Sequence, residues 1–123
     1  MKDQGKRSDA SANLKRADFD SPVQVESEGH LETLIRDKEV LLVDFYADWC
    51  GPCQMLEPTV EKIAAETDAA VAKVDIDELQ ALAEANNVRG VPTLLLYVDG
   101  ELEERIVGLR DEMSLFDRVT AHV

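Results

Sequence analysis

From about residue 22 onward, hydrophobic and polar positions alternate in blocks of two distinct periods. "PVQVE" is a short stretch that predicts a strand. "SEGHLETLIRD" puts Leu31, Leu34 and Ile35 on one helical face, with Ser27 suited to the N-cap. "EVLLVDFYA" is a continuous apolar run rich in β-formers, the mark of a strand covered on both faces. The next segment, through about Glu66, sets Leu56, Val60, Ile63 and Ala64 on one side of a helix. Pro52 suits its first turn, and Pro58 falls inside it, where a missing N–H should kink the axis. "AVAKVDID" predicts a strand and "ELQALAEANN" a helix ended by its Asn residues. "TLLLYVDGELEERIVG" predicts two strands joined at Asp99-Gly100, a strong hairpin signal. "DEMSLFDRVTAHV" closes the chain as an amphipathic helix with Leu115, Phe116 and Val119 inward.

The resulting order is β-α-β-α-β-α-β-β-α. Alternation of strand and helix implies parallel pairing, and the late hairpin adds an antiparallel edge. The expected architecture is α/β: a mixed central sheet with helices on both faces. One domain is expected over 21–123. Residues 1–20, "MKDQGKRSDASANLKRADFD", show neither period and are expected to be a flexible polar tail.

Length and charge narrow the function. A chain of 123 residues can bury one core without disulfide support. A net charge of −13 repels nucleic acid and anionic membrane alike, and no apolar run is long enough for a membrane span. The acidity fits ordinary solubility, an acidic face for a basic partner, or adaptation to a salt-rich cytoplasm. It is uneven, because Lys2, Lys6, Arg7, Lys15 and Arg16 crowd the N-terminus. The first twenty residues contain no apolar segment of the secretory kind, so a cytoplasmic location is expected.

Both cysteines of the chain, Cys50 and Cys53, stand in "VDFYADWCGPCQ". A closed zinc site needs four ligands, whereas His30 and His122 lie far apart in sequence, so no metal is expected. A disulfide across two residues closes too small a loop to act as a staple. Thiol–disulfide exchange remains. At a helix start, the free N–H groups and the helix dipole favour a Cys50 thiolate, and the thiolate is what attacks a disulfide. Solvent access is expected for Cys50. Cys53, one turn further on, is placed to resolve a mixed disulfide. Gly51 permits close backbone approach, and Pro52 fixes the first turn.

"WCGPC" preceded by "VDF" and followed by "KVDID", "VRGVPT", a "DG" hairpin and "VG" resembles the thioredoxin family, from about Val23 to Val123. The resemblance implies the thioredoxin fold and a general protein-disulfide reductase. Such a protein holds no bound cofactor beyond the Cys50–Cys53 pair, acts as a monomer on disulfide-containing clients, and is recharged by thioredoxin reductase. It implies that Cys50 is the nucleophile and Cys53 the resolving thiol. Trp49 resembles the indole packed beside the site. Pro92 resembles the cis-proline facing the disulfide, with Val91 offering backbone groups to a client chain. Arg89 and Gly90 resemble the loop before it, and Gly108 the small residue that lets a client approach. Asp44 resembles the buried acid behind the resolving cysteine, and Lys73 its partner on the neighbouring strand.

Asp44 stands in a strand expected to be covered on both faces, where a carboxylate is costly unless paired or neutral. Burial should raise its pKa, opposed by any Lys73 charge, and so fit it to take the proton from Cys53. Two positions depart from the family pattern. Gln54 stands where a basic residue is common, and Tyr46 where a Trp is common. Two other functions fit the same residues: a disulfide oxidase or isomerase, and a binding module whose redox chemistry is incidental. The Gly-Pro between the cysteines resembles reductants more than oxidants.

Overall fold

The structure, a computed structural model, describes residues 20–123; the expected tail, apart from Asp20, lies outside the described residues. Among the described residues, five strands and four helices follow in the expected order. They are β1 (Val23–Gln24), α1 (Glu28–Asp37), β2 (Val40–Tyr46), α2 (Gly51–Glu66), β3 (Ala70–Asp75), α3 (Gln80–Ala85), β4 (Thr93–Val98), β5 (Glu101–Val107) and α4 (Glu112–Thr120). The sheet order is β1-β3-β2-β4-β5. β1, β3 and β2 run parallel, while β4 is antiparallel to β2 and β5 to β4.

The continuous apolar run of β2 occupies the sheet centre. Its residues alternate between two cores: Val40 and Leu42 pack with α2 and α4, and Leu41, Val43 and Phe45 with α1 and α3. On the first side Leu56, Val60, Ile63 and Ala64 of α2 meet Leu115 and Val119 of α4. Phe116 is only half-buried at its margin. Full burial of a Leu, Ile or Val contributes roughly 1.5–3 kcal/mol each, so these two stripes are a main hold on the sheet.

Local chemistry sets the element ends. Ser27 accepts from the His30 N–H at 3.1 Å, and Asp111 from the Ser114 N–H at 2.8 Å, so both helices begin on a side-chain cap. Asp99 and Gly100 both take positive φ, 53° and 85°, as a primed two-residue hairpin turn requires. α2 runs through Pro58 without interruption.

Three elements differ from expectation in extent or direction. β1 is only two residues long. α3 spans six residues, because Asn87 turns left-handed at φ 58° just past its end. β4 follows a helix yet runs antiparallel to β2. Antiparallel entry sets Thr93, and with it the Pro92 loop, beside Phe45 at the end of β2 that leads into the cysteines.

Candidate active site

The site forms where β2 gives way to α2. Cys50 is the N-cap residue of α2, in extended conformation, and its Sγ accepts the Cys53 N–H at 3.1 Å. The pair is disulfide-bonded. Both cysteines are 4% exposed, so the greater access expected for Cys50 is not what separates them. The amide donated to its sulfur does. A donor aimed at Cys50 Sγ, together with the positive end of α2, stabilises negative charge there. Pro52 falls in the first helical turn, where its missing N–H costs no helical bond. Gly51 is exposed, with open space where a side chain would begin. Gln54 donates to the Asp48 carbonyl at 2.9 Å and so braces the loop leading into the motif.

Across from the sulfurs lies the loop before β4. The Val91–Pro92 peptide bond is cis, and the Val91 carbonyl oxygen is 3.6 Å from Cys50 Sγ. Pro92 is buried, Val91 half-buried, and Arg89 and Gly90 exposed. Thr93, absent from the sequence reasoning, donates its hydroxyl to the Gly90 carbonyl at 2.7 Å and closes this loop. Gly108 has φ 88° and donates its N–H to the Pro92 carbonyl at 2.8 Å. Its backbone therefore demands glycine and ties the end of β5 to the proline loop. Trp49 is 69% exposed, but its indole N–H donates to Asp77 at 2.9 Å, fixing the ring beside the cysteines.

Asp44 and Lys73 face each other in the β2–β3 register. Their expected pairing takes another form. Lys73 donates to both carboxylate oxygens of Glu57 on α2, and its ammonium lies 4.4 Å from the centre of the Tyr46 ring. Asp44 is 1% exposed, and its Oδ1 has no hydrogen-bond partner. Burial pushes its pKa up to about 7, with Glu57 adding to the rise and Lys73 opposing it. Glu57 is the residue that sequence reasoning missed. Its signal was position, four residues after Cys53 and thus on the same helical face.

Among the described residues no cluster of three or more His, Cys, Asp or Glu side chains is arranged to hold a metal ion. No helix there is long and apolar enough to cross a membrane.

A cysteine pair on a helix N-terminus, opposed by a cis-proline loop on a mixed sheet, defines a dithiol–disulfide oxidoreductase. Comparison with known proteins narrows the class. The thioredoxin family model matches residues 21–121. The thioredoxin of Chlamydia trachomatis is 46% identical over 84 residues, covering 68% of this chain and 82% of that protein. That of Staphylococcus aureus is 35% identical over 116 residues, covering 93% and 99%. Among solved structures, a mutant thioredoxin from Halobacterium salinarum is 57% identical with a TM-score of 0.82, covering 85% of this chain and 92% of that one. Mitochondrial thioredoxin 3 of Saccharomyces cerevisiae, in its oxidised form, is 33% identical with a TM-score of 0.74, covering 81% and 94%. The chain belongs to the thioredoxin family, and its function is dithiol–disulfide reduction at the Cys50–Cys53 pair.

Proposed function

We propose that this protein is a general cytoplasmic reductant in which Cys50 attacks client disulfides, Cys53 resolves the intermediate and Asp44 takes the resolving proton. The observation that carries the assignment is the amide N–H of Cys53 aimed at Cys50 Sγ, which favours a thiolate at Cys50 alone.

The Cys50 thiolate attacks one sulfur of the client disulfide. A Cys50–client disulfide forms, and the other client sulfur leaves with the bonding pair. The Cys53 thiol then gives its proton to Asp44, and its sulfur attacks Cys50 Sγ. The Cys50–Cys53 bond forms and the second client sulfur departs. Two electrons have passed to the client. A thioredoxin reductase returns them to the pair, so the reducing equivalents need no resident cofactor.

The client chain is held by the surface around the sulfurs. Trp49 offers an exposed ring anchored on Asp77. Val91 offers backbone groups beside Cys50, and the bare backbone at Gly51 and Gly108 leaves room for an extended segment. Pro92 supplies no N–H to compete with the client for the cysteine sulfurs. Lys73 tunes the charge behind Cys53.

The test is covalent trapping. Cys53→Ser should accumulate mixed disulfides through Cys50 that dithiothreitol releases. Accumulation in Cys50→Ser instead would reverse the two roles. A doubly substituted Cys50→Ser, Cys53→Ser chain that kept its biological activity would point to a binding module.

A further inference from the structure

Glu57 and Cys53 leave α2 on the same face, one turn apart. Both line a cavity of about 340 Å³, shared with Lys73, Tyr46 and Gln54. One cation here has two carboxylates within its reach. Lys73 stands opposite Asp44 in the sheet, yet its ammonium is bound by both oxygens of Glu57 and covered by the Tyr46 ring. The partner chosen is the outer acid, whose side chain is 37% exposed, and the inner acid keeps an unpartnered Oδ1.

We propose that Glu57 is a positioning residue for the resolving step: it holds the Lys73 ammonium on itself and so leaves Asp44 able to accept the Cys53 proton. The inference rests on the reading of Asp44 as proton acceptor. An ammonium bonded directly to Asp44 would stabilise the carboxylate and weaken it as a base. Bonded to Glu57, the same ammonium is largely neutralised. In the transfer the Cys53 S–H bond breaks and an O–H bond forms on Asp44. The Cys53 sulfur bonds to Cys50, and the client sulfur leaves with its electron pair. Asp44 then gives the proton up to water, which the cavity lined by Cys53, Glu57 and Lys73 admits to the groups beside it.

On this side of the sheet Lys62, Glu104, Glu112, Arg118 and His122 pair with one another across α2, β5, α4 and the turn after it. α2 also contributes Cys53 and Glu57, β3 contributes Lys73 and Asp75, and β2 and its following loop contribute Tyr46 and Asp48. β4 sets the apolar Leu94 against Asp44, and α4 meets this face through Leu115 and Val119. Lys73 and Glu57 are the two whose charges act on Asp44.

The experiment follows the Asp44 carboxyl carbon by NMR against pH in the reduced protein, beside the rate of client release from the Cys50 mixed disulfide. Glu57→Gln frees Lys73 for Asp44 and should lower the Asp44 midpoint by roughly one pH unit or more. The pH profile of release should move down with it. Glu57→Asp, which keeps the charge, should lie between. Adding Lys73→Met to Glu57→Gln should bring the midpoint back to the parent value or above. A folded Glu57→Gln protein with the parent midpoint overturns the proposal, even if its turnover falls. A midpoint that falls while release does not follow overturns it through Asp44. In that case Asp44→Asn also leaves release unchanged.

Discussion

At the scale of single residues, equal burial makes the two cysteines look alike, and hydrogen bonding separates them. Only Cys50 Sγ receives an amide N–H. In the reduced protein at neutral pH, an alkylating agent should therefore label Cys50 before Cys53, as peptide mapping will show; preferential labelling of Cys53 contradicts the assignment. Asp44 gives a second prediction with two readouts. Asp44→Asn should slow release of the mixed disulfide on the order of 10²-fold, with less effect on the first attack. The stability sign follows from a folded pKa of about 7 against an ordinary value of 3.8. Between those values the folded state binds the extra proton, so the wild-type fold loses stability as pH rises through this window. The penalty is absent below pH ~4 and complete above pH ~7, with ~4 kcal/mol as its upper bound. Denaturant titrations should thus find Asp44→Asn more stable than the parent at pH 8 and gaining little at pH 4. A pH-independent difference would remove burial of the charge as the cause. The cysteine pair and the buried acid were legible in the sequence, because each is an anomaly in a local pattern. The partner of Lys73 was not, since strand register pointed to Asp44 and the choice of Glu57 is made between a strand and a helix.

At the scale of elements, helices and strands were read from period alone wherever one face is buried and a cap or turn residue marks the end. Ser27 and Asp99-Gly100 are such marks, and the structure uses both. What period cannot give is direction. The run "TLLLYV" reads as a buried strand whichever way it points, and in the structure it enters antiparallel to β2. Gly108 shows how an element end serves the site. It lies just past β5, in a left-handed conformation, with its N–H on the Pro92 carbonyl. A Cβ there would meet only the Arg110 side chain, at 3.7 Å, so the cost of Gly108→Ala is conformational rather than steric. Destabilisation of roughly 1–2 kcal/mol is expected from the left-handed backbone alone. Urea unfolding will read it as a lower midpoint with unchanged slope. An unchanged midpoint would mean that the β5 end relaxes freely and does not brace the proline loop.

At the scale of the whole molecule, the net charge of −13 is a force on the fold, and the sequence shows where it is concentrated. Residues 1–19 hold Lys2, Lys6, Arg7, Lys15 and Arg16 against Asp3, Asp9 and Asp18, so the remainder is more acidic than the chain as a whole. Exposed ion pairs such as Lys62–Glu112 and Arg118–Glu104 engage part of the basic complement, and carboxylates remain in large excess. Pairs of this exposed kind stabilise little, while like charges repel over a distance that salt controls. The screening length falls from about 10 Å at 0.1 M salt to about 3 Å at 1 M. The melting temperature should therefore rise from low to molar potassium chloride, by roughly 4–8 °C for each kcal/mol of repulsion removed. Deleting residues 1–19 should leave disulfide reduction intact, because Cys50, Cys53, Asp44 and Pro92 all follow that stretch in the sequence. The same deletion removes more positive than negative charge, so it should steepen the salt dependence. Neutralising exposed acids of the β5 edge and α4, as in Glu101→Gln, Glu103→Gln and Asp117→Asn together, should flatten it. Chloride is the salt to use, since sulfate also strengthens apolar burial and would raise the curve for another reason. A melting temperature that stays level across this range, in the full chain and the truncated one alike, would show that the carboxylates are spaced too widely to repel and that the acidity serves solubility alone.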